Sequence, residues 1–522
     1  MQAQVQDRLR ALISIGAALS AESDINLLLE MILLKAKELT DADGGTLYVA
    51  TEDGSLRYEM LHTSSLGLAM GGSTGQAVTF PPLSLEANRQ LASVSCAVEQ
   101  RSINIPDIYA VEDFDFSGAK RFDESTGYRT RSLLCVPLVN HHAETVAVLQ
   151  LINATDPVTG EVTAFSAESQ ELAESLASQA AIAFNNRQLI DQMAALFESL
   201  IAMINTAIDE KSPYTGGHCN RVPDLSLMLA DAVARTQEGP LANFEMSDAD
   251  RYELRIASLL HDCGKVTTPV HVVDKATKLE TIFDRIALLD TRFEVLRRDA
   301  QIDFFEGRLT AEARDAVIAR IEDARNFLRL CNVGGERMKD DDIARVREIA
   351  AWQWTGPDGT LQPFLSDDEV ENLTIVAGTL TYDERQVINN HIVSTIKMLE
   401  ALPWPKHLRR VTEFAGGHHE RMDGKGYPKG LTREDMSVQA RVMGIADIFE
   451  ALTAADRPYK SAKPLSEALK IMGFFKLEHH IDPDLFDVFI REKVYLDYAH
   501  RYLLPEQIDE VDESKIPGYA AA

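Results

Sequence analysis

From Ser166 to Lys211 the chain contains neither glycine nor proline, and alanine, leucine, glutamate and glutamine dominate the run. These residues lose little freedom in a helix, and no breaker intervenes before Pro213. The spacing predicts one long connecting helix over 166–211. Its apolar residues Leu172, Leu176, Ala180, Ile182, Phe184, Leu189, Met193, Leu196, Leu200 and Met203 recur near heptad spacing. Two readings follow from this. The helix packs on its own domain, or it also pairs with a second copy and carries signals onward.

Sequence patterns differ on the two sides of this helix. Residues 1–187 predict a mixed α/β domain. Leu27, Leu28, Leu29, Ile32, Leu33 and Ala36 recur at helical spacing, and strand-like runs follow at 45–50, 56–61, 132–138 and 146–153. Asp53-Gly54 is a hairpin signal. The apolar run 11–21 sits among Asp7, Glu22 and Asp24 and predicts a leading helix rather than a secretion signal. Residues 212–475 predict an all-α region, with a charged, helix-prone insertion at 285–380 interrupted by Pro357-Asp358-Gly359. Residues 476–522 predict a helical extension and tail.

A net charge of −29 repels long polyanions, so a duplex nucleic-acid partner is excluded, though not a small anion met by metals and lysines. No apolar run reaches the length of a membrane span. Cys96, Cys135, Cys219, Cys263 and Cys331 are scattered, odd in number and form no CxxC pair, which predicts free thiols in a reducing cytoplasm.

Two histidine clusters carry chemistry. In His261-Asp262-Cys263-Gly264-Lys265 the carboxylate has two oxygens and can bridge two metals, whereas an imidazole offers a metal one lone pair. Lys265 lies three residues on, within reach of a phosphate. The plainer reading is a helix end capped by Gly264. Farther on, His418-His419-Glu420 is flanked by Gly416, Gly417, Gly424 and Gly426. Adjacent residues cannot share a target on a regular helix or strand, so these glycines predict an irregular backbone. His218, His391 and Asp447 are singly weaker signals; Asp447 sits among apolar neighbours and needs a cation. His479-His480 and His141-His142 lack such surroundings and predict surface positions.

With the runs 261–265, 418–428 (ending Gly426-Tyr427-Pro428), 446–453 and Asp456-Arg457-Pro458-Tyr459-Lys460, this half resembles the HD-GYP phosphodiesterases, which hydrolyse bacterial cyclic dinucleotides. The likeness covers about 200–285 and 380–475. It implies a two-metal centre, iron or alternatively manganese, held by His218, His261, Asp262, His391, His418, His419 and Asp447. It implies Asp262 as the metal bridge, and Lys265, Tyr427, Arg457 and Lys460 as substrate contacts. The implied substrate is cyclic di-GMP, opened to pGpG and further to GMP; some relatives prefer cyclic GMP-AMP. Members that bind a third metal carry a glutamate where this chain has Tyr214, so two metals are expected. The gap between Asp262 and His391 is far longer than the family's spacing.

The first half resembles a GAF domain through 122–138 and Leu151-Ile152-Asn153. Asn153 and Phe165 fit the signature of cyclic-nucleotide-binding members, but Ala154 and Ser169-Gln170 depart from it. An unknown small ligand, or none, is expected there. The resulting expectation is a GAF-regulated, cytoplasmic, homodimeric phosphodiesterase. The alternatives are a phosphohydrolase for another nucleotide or phosphate ester, and a catalytically weak interaction module.

Overall fold

The structure, a computed structural model, describes residues 2–211, 217–335, 337–455 and 462–520, with side chains from Ala11 onward. Tyr214, Arg457 and Lys460 fall outside the described residues. The chain divides into two compact units, Met1–Glu198 and Ser199–Ala522. Among the described residues no helix is long and apolar enough to cross a membrane, and no cysteine is paired.

The first unit opens with helices α1 (Gln2–Ala21) and α2 (Ile25–Thr40). Then come β1 (Ala42–Ala50), β2 (Ser55–Thr63), β3 (Leu68–Gly71), β4 (Leu83–Ser84), α3 (Ala92–Glu99) and β5 (Ile103–Ile105). They are followed by α4 (Ser117–Thr126), β6 (Leu133–Val139), β7 (Thr145–Thr155), β8 (Val162–Thr163) and α5 (Ala167–Lys211). The strands form an antiparallel sheet ordered β3-β2-β1-β7-β6-β5. Successive side chains on a strand point to opposite faces. Leu134, Val136 and Leu138 thus join one core with Ile32, Leu33, Leu176 and Phe184, whereas Leu133 and Cys135 join another with Val94 and Phe116. Burial on both faces is why β6 is nearly all apolar. Beneath α3 and α4 a cavity of about 430 Å³ is lined by Tyr48, Tyr58, Phe116, Arg121 and Gln150 among others. Asn153 works for the backbone: its side chain accepts from Arg131 N–H at 2.7 Å and donates to the Arg129 carbonyl at 2.8 Å.

Helix α5 is continuous for 45 residues. Ala173, Leu176, Ala180 and Phe184 are buried in the first unit and Ile201 and Ile208 in the second, while Leu189, Met193, Leu196, Leu200 and Met203 are exposed.

In the second unit come α6 (His218–Ala234), α7 (Asp248–Leu260), a 3₁₀ turn (Cys263–Thr267) and α8 (Val270–Val273). The expected insertion contains α9 (Ile286–Phe305), α10 (Ala311–Asn332) and α11 (Asp340–Ala350). It also holds a hairpin of β9 (Gln353–Thr355) and β10 (Leu361–Pro363), and α12 (Asp367–Leu373). The insertion is therefore not purely helical, because Pro357-Asp358-Gly359 turns the chain back on itself. Leu289, Phe293, Ile321, Leu328, Val346 and Phe364 form its own core. After it stand α13 (Tyr382–Asn389), α14 (His391–Glu400), α15 (Val411–Gly416) and α16 (Val438–Thr453). The last helices are α17 (Leu465–Leu477), α18 (Pro483–Arg491) and α19 (Val494–Tyr502). Phe486, Phe489 and Tyr498 are fully buried, so residues 483–502 belong to the core of the unit rather than trailing from it.

Candidate metal centre

Four α-helix ends and one helix middle converge on a single point. His218 and His391 are the first residues of α6 and α14, and His261-Asp262 joins α7 to the 3₁₀ turn. His418 and His419 follow α15 after its cap Gly417, and Asp447 lies inside α16. Helix ends suit this task, since a side chain there is free of the neighbouring turn.

The two Asp262 oxygens face different partners. Oδ2 lies 3.3 Å from Nε2 of both His218 and His261, and Oδ1 lies 3.1 Å from His391 Nε2. On the first side, Asp447 Oδ1 stands 3.2 Å from His218 Nε2. On the second, His419 Nε2 is 3.3 Å from His391 Nε2. Three ligand-sized groups result, each with donor atoms within 4.8 Å of one another: His218, His261 and Asp447; His391, His418 and His419; His261, Asp262 and His418.

The ring nitrogens facing away are tethered. Nδ1 of His261, His391 and His418 meets the carbonyls of Ser258, Ile388 and Ala415 at 2.7, 2.6 and 2.6 Å. Each is the carbonyl three residues earlier. His218 Nδ1 meets Glu450 Oε2, and Arg221 holds the other Glu450 oxygen. A tethered Nδ1 leaves Nε2 pointing inward as a lone-pair donor, the arrangement metal-ligating histidines use. His418 Nε2 is buried without a hydrogen-bond partner among the described residues. An orphaned buried nitrogen is costly unless something electropositive meets it.

The electrostatics agree. Burial, aided by neighbouring imidazoles, holds His418 well below the ordinary imidazole range, and burial brings His419 to about 4. Both are neutral imidazoles. Burial also opposes charge on His218 and His261, but Asp262, Asp447 and Glu450 outweigh it, raising His218 strongly and His261 to about 9. The buried carboxylates thus demand positive charge, which divalent ions would supply. The donor set fits borderline transition metals.

Two glycine expectations change. Gly264 is not a left-handed cap: a Cβ there would stand 2.0 Å from the His391 carbonyl oxygen, so the bare backbone brings the 3₁₀ turn against α14. Gly416 and Gly417 likewise have no positive φ. Added Cβ atoms would meet Ile396 and Ala440 at 3.0 Å, so both are needed for close packing. Gly424 does take positive φ, at 74°. The two histidine pairs expected at the surface divide: His141 and His142 are exposed, but His480 is half-buried with its ring 4.7 Å from Phe475.

Lys265 Nζ donates to Asp262 Oδ2 at 2.5 Å. The Tyr427 ring stacks on His419 at 4.9 Å and 26°. Glu420, third in the His-His-Glu run, turns away and accepts from the Lys429 and Leu431 amides at 2.7 and 2.9 Å. Glu450 was not singled out from the sequence. Its signal was available: it lies one helical turn after Asp447 on a largely apolar helix.

Family models match a GAF domain at residues 24–184 and an HD domain at residues 367–485. The chain joins a GAF domain to an HD domain. The HD match begins within the tail of the expected insertion and covers His391, His418, His419 and Asp447; His218, His261 and Asp262 lie before it. Among curated relatives, the 3'3'-cGAMP-specific phosphodiesterase 3 of Vibrio cholerae is 27% identical over 292 residues, covering 56% of this chain and 38% of that protein. The 3'3'-cGAMP-specific phosphodiesterase 1 of the same organism is 44% identical over 81 residues, 16% of this chain and 19% of that one. A cyclic di-GMP phosphodiesterase of Thermotoga maritima is 32% identical over 137 residues, 24% of this chain and 36% of that one. The chain spans well under half the length of these relatives.

Proposed function

We propose that the HD domain is a two-metal phosphodiesterase acting on a cyclic dinucleotide. The carrying observation is Asp262, whose two oxygens face separate sets of inward-pointing imidazoles. His218, His261 and Asp447 would hold one ion and His391, His418 and His419 the other, with Asp262 between them. The ions, iron or manganese, would supply Lewis-acid stabilisation of charge on the phosphoryl oxygens. The protein's own part is orientation. Backbone tethers and Glu450 aim the imidazoles, Lys265 steadies Asp262, and Tyr427 covers His419. Lys265 keeps 24% side-chain exposure, open to a substrate phosphate; Arg457 and Lys460 are the further phosphate contacts we infer from the motif.

Cyclic di-GMP, opened to pGpG and on to GMP, is the substrate we infer. The names of two relatives make 3'3'-cGAMP the second reading. We place the GAF domain as the regulator, with a small ligand in its cavity, and the chain in the reducing cytoplasm that five unpaired cysteines suit. A homodimer through α5 is supported by the exposed seam Leu189, Met193, Leu196, Leu200 and Met203, which alternates steps of four and three. Light scattering of a strict monomer would remove it.

Anaerobically reconstituted protein should contain close to two metals per chain and open cyclic di-GMP. Asp262→Ala should lose turnover by at least about a thousandfold and lose bound metal. Metal-loaded protein inert toward every cyclic dinucleotide would sink the reading.

A further inference from the structure

Past residue 200, α5 changes what it buries. Ile201, Asn205 and Ile208 recur on one helix face, one and two turns apart, and all three are buried in the second unit. Asn205 is the odd member. Neither its amide oxygen nor its amide nitrogen has a hydrogen-bond partner among the described residues, and Asp209 Oδ1, one turn on, is likewise buried without one. These unanswered polar atoms oppose the docking that the two isoleucines favour. The last turns of α5 are therefore held less firmly than a fully apolar face would hold them.

The helix ends on the framework of the centre itself. Lys211, its last residue, donates from Nζ to the Lys265 carbonyl at 3.2 Å and to the Val266 carbonyl. Both carbonyls lie toward the end of the 3₁₀ turn Cys263–Thr267. A cation suits that place, because carbonyls at the C-terminal end of a helical turn carry its partial negative charge.

The same turn begins from Asp262 and carries Lys265, whose Nζ donates to Asp262 Oδ2 at 2.5 Å. Its other side is fixed to α14. The Gly264 amide donates to Thr395 Oγ1 at 2.9 Å, and the Thr267 and Ser394 hydroxyls meet at 3.1 Å. The turn is thus held between α14, which begins with His391, and the end of α5. Helix α5 contributes none of the seven ligands, so Lys211 is a hold that can loosen while the histidines stay in place.

We propose that Lys211 is a positioning residue through which the end of α5 sets the activity of the metal centre. Docked, it clamps the turn that aims Asp262 and Lys265; loosened, it lets that turn drift. This rests on the phosphodiesterase reading above. A drift of about 1 Å is enough, since catalytic geometry tolerates little more. Because α5 runs unbroken from Ala167, a change in its register upstream reaches this contact without moving a ligand.

The test uses the metal-loaded full chain. Lys211→Met keeps the apolar stem and removes the donor. It should lower kcat for cyclic di-GMP about ten- to a hundredfold, with KM within about twofold and bound metal unchanged. Lys211→Arg can still donate to both carbonyls and should recover most of kcat. Asn205→Leu removes an unanswered amide at similar volume. It should raise kcat about two- to fivefold on its own but not beside Lys211→Met. Amide exchange reads the clamp without turnover: the Thr268 amide, which donates to the Lys265 carbonyl at 3.0 Å, should exchange about tenfold faster in Lys211→Met. Unmoved kcat or exchange in Lys211→Met, or an Asn205→Leu gain that survives the loss of Lys211, would overturn the clamp. A wild type inert toward every cyclic dinucleotide, with exchange still quickened by Lys211→Met, would instead overturn the phosphodiesterase reading, and the control of activity with it.

Discussion

Buried ionisable side chains occur both at the candidate metal centre and at the base of the inserted segment, and they are treated in opposite ways. Just before the insertion the buried lysines are answered. Lys275 donates to Asn372 Oδ1 at 2.7 Å and to Glu384, and Lys278 donates to the Leu373 and Ile375 carbonyls at 3.1 and 2.8 Å. Arg292 forks onto Glu369 and also reaches the Phe364 carbonyl. At the centre, imidazole nitrogens face one another, as His218 and His261 do at 3.3 Å, and His418 Nε2 has no hydrogen-bond partner among the described residues. Satisfied polar groups specify a fold; polar groups aimed at each other wait for a cation. The lesson is that burial alone does not mark a site. The direction in which the donors point does.

The largest effect should come from breaking the satisfied network. Lys275→Met keeps the buried stem and strands Glu384 and Asn372, at a cost of about 3 kcal/mol, since removing one partner of a buried pair leaves the other uncompensated. Urea unfolding followed in the insertion reads this, and an unmoved midpoint would put the pair among marginal surface contacts. A smaller effect is expected at the centre's outer shell. Glu450→Gln should weaken metal binding about ten- to a hundredfold in a chelator competition, because the charge orienting His218 is lost. Unchanged affinity would mean that His218 is held by packing alone. The smallest effect belongs to Asp290, which bridges Arg325 and Arg329. Burial raises its pKa, but the two arginines outweigh burial and hold it below the ordinary value. A depressed pKa stabilises the fold above the unfolded value near about 4 and loses that contribution as pH falls through the folded value. Asp290→Asn should therefore cost about 1 kcal/mol or less at pH 7, given the partly exposed arginines, and still less at pH 3. Equal losses at both pH values would show that the side chain acts through shape rather than charge.

Much of the centre could be read in the chain because ligand chemistry restricts residue type. His261-Asp262 and His418-His419 announce themselves, and Asp447 stands out as a carboxylate among apolar residues. Glu450 did not stand out, since one glutamate on a helix has many ordinary explanations. The glycines misled for a related reason: Gly264, Gly416 and Gly417 looked like conformational freedom and are close contacts with residues far away in the chain. The hairpin at 353–363 was hidden in a run whose charge and composition resemble a helix, although its Pro-Asp-Gly turn was visible.

By itself the sequence determined the local matters: an unbroken helix over 167–211, strands whose alternate residues face two cores, and which side chains have the chemistry to ligate a metal. These follow from backbone propensity and from side-chain type. Only the tertiary structure decided which oxygen of Asp262 faces which histidine, and that His218 is aimed by Glu450 from 232 positions away. Those facts depend on packing between distant helices, where a shift of one ångström changes a ligand into a bystander.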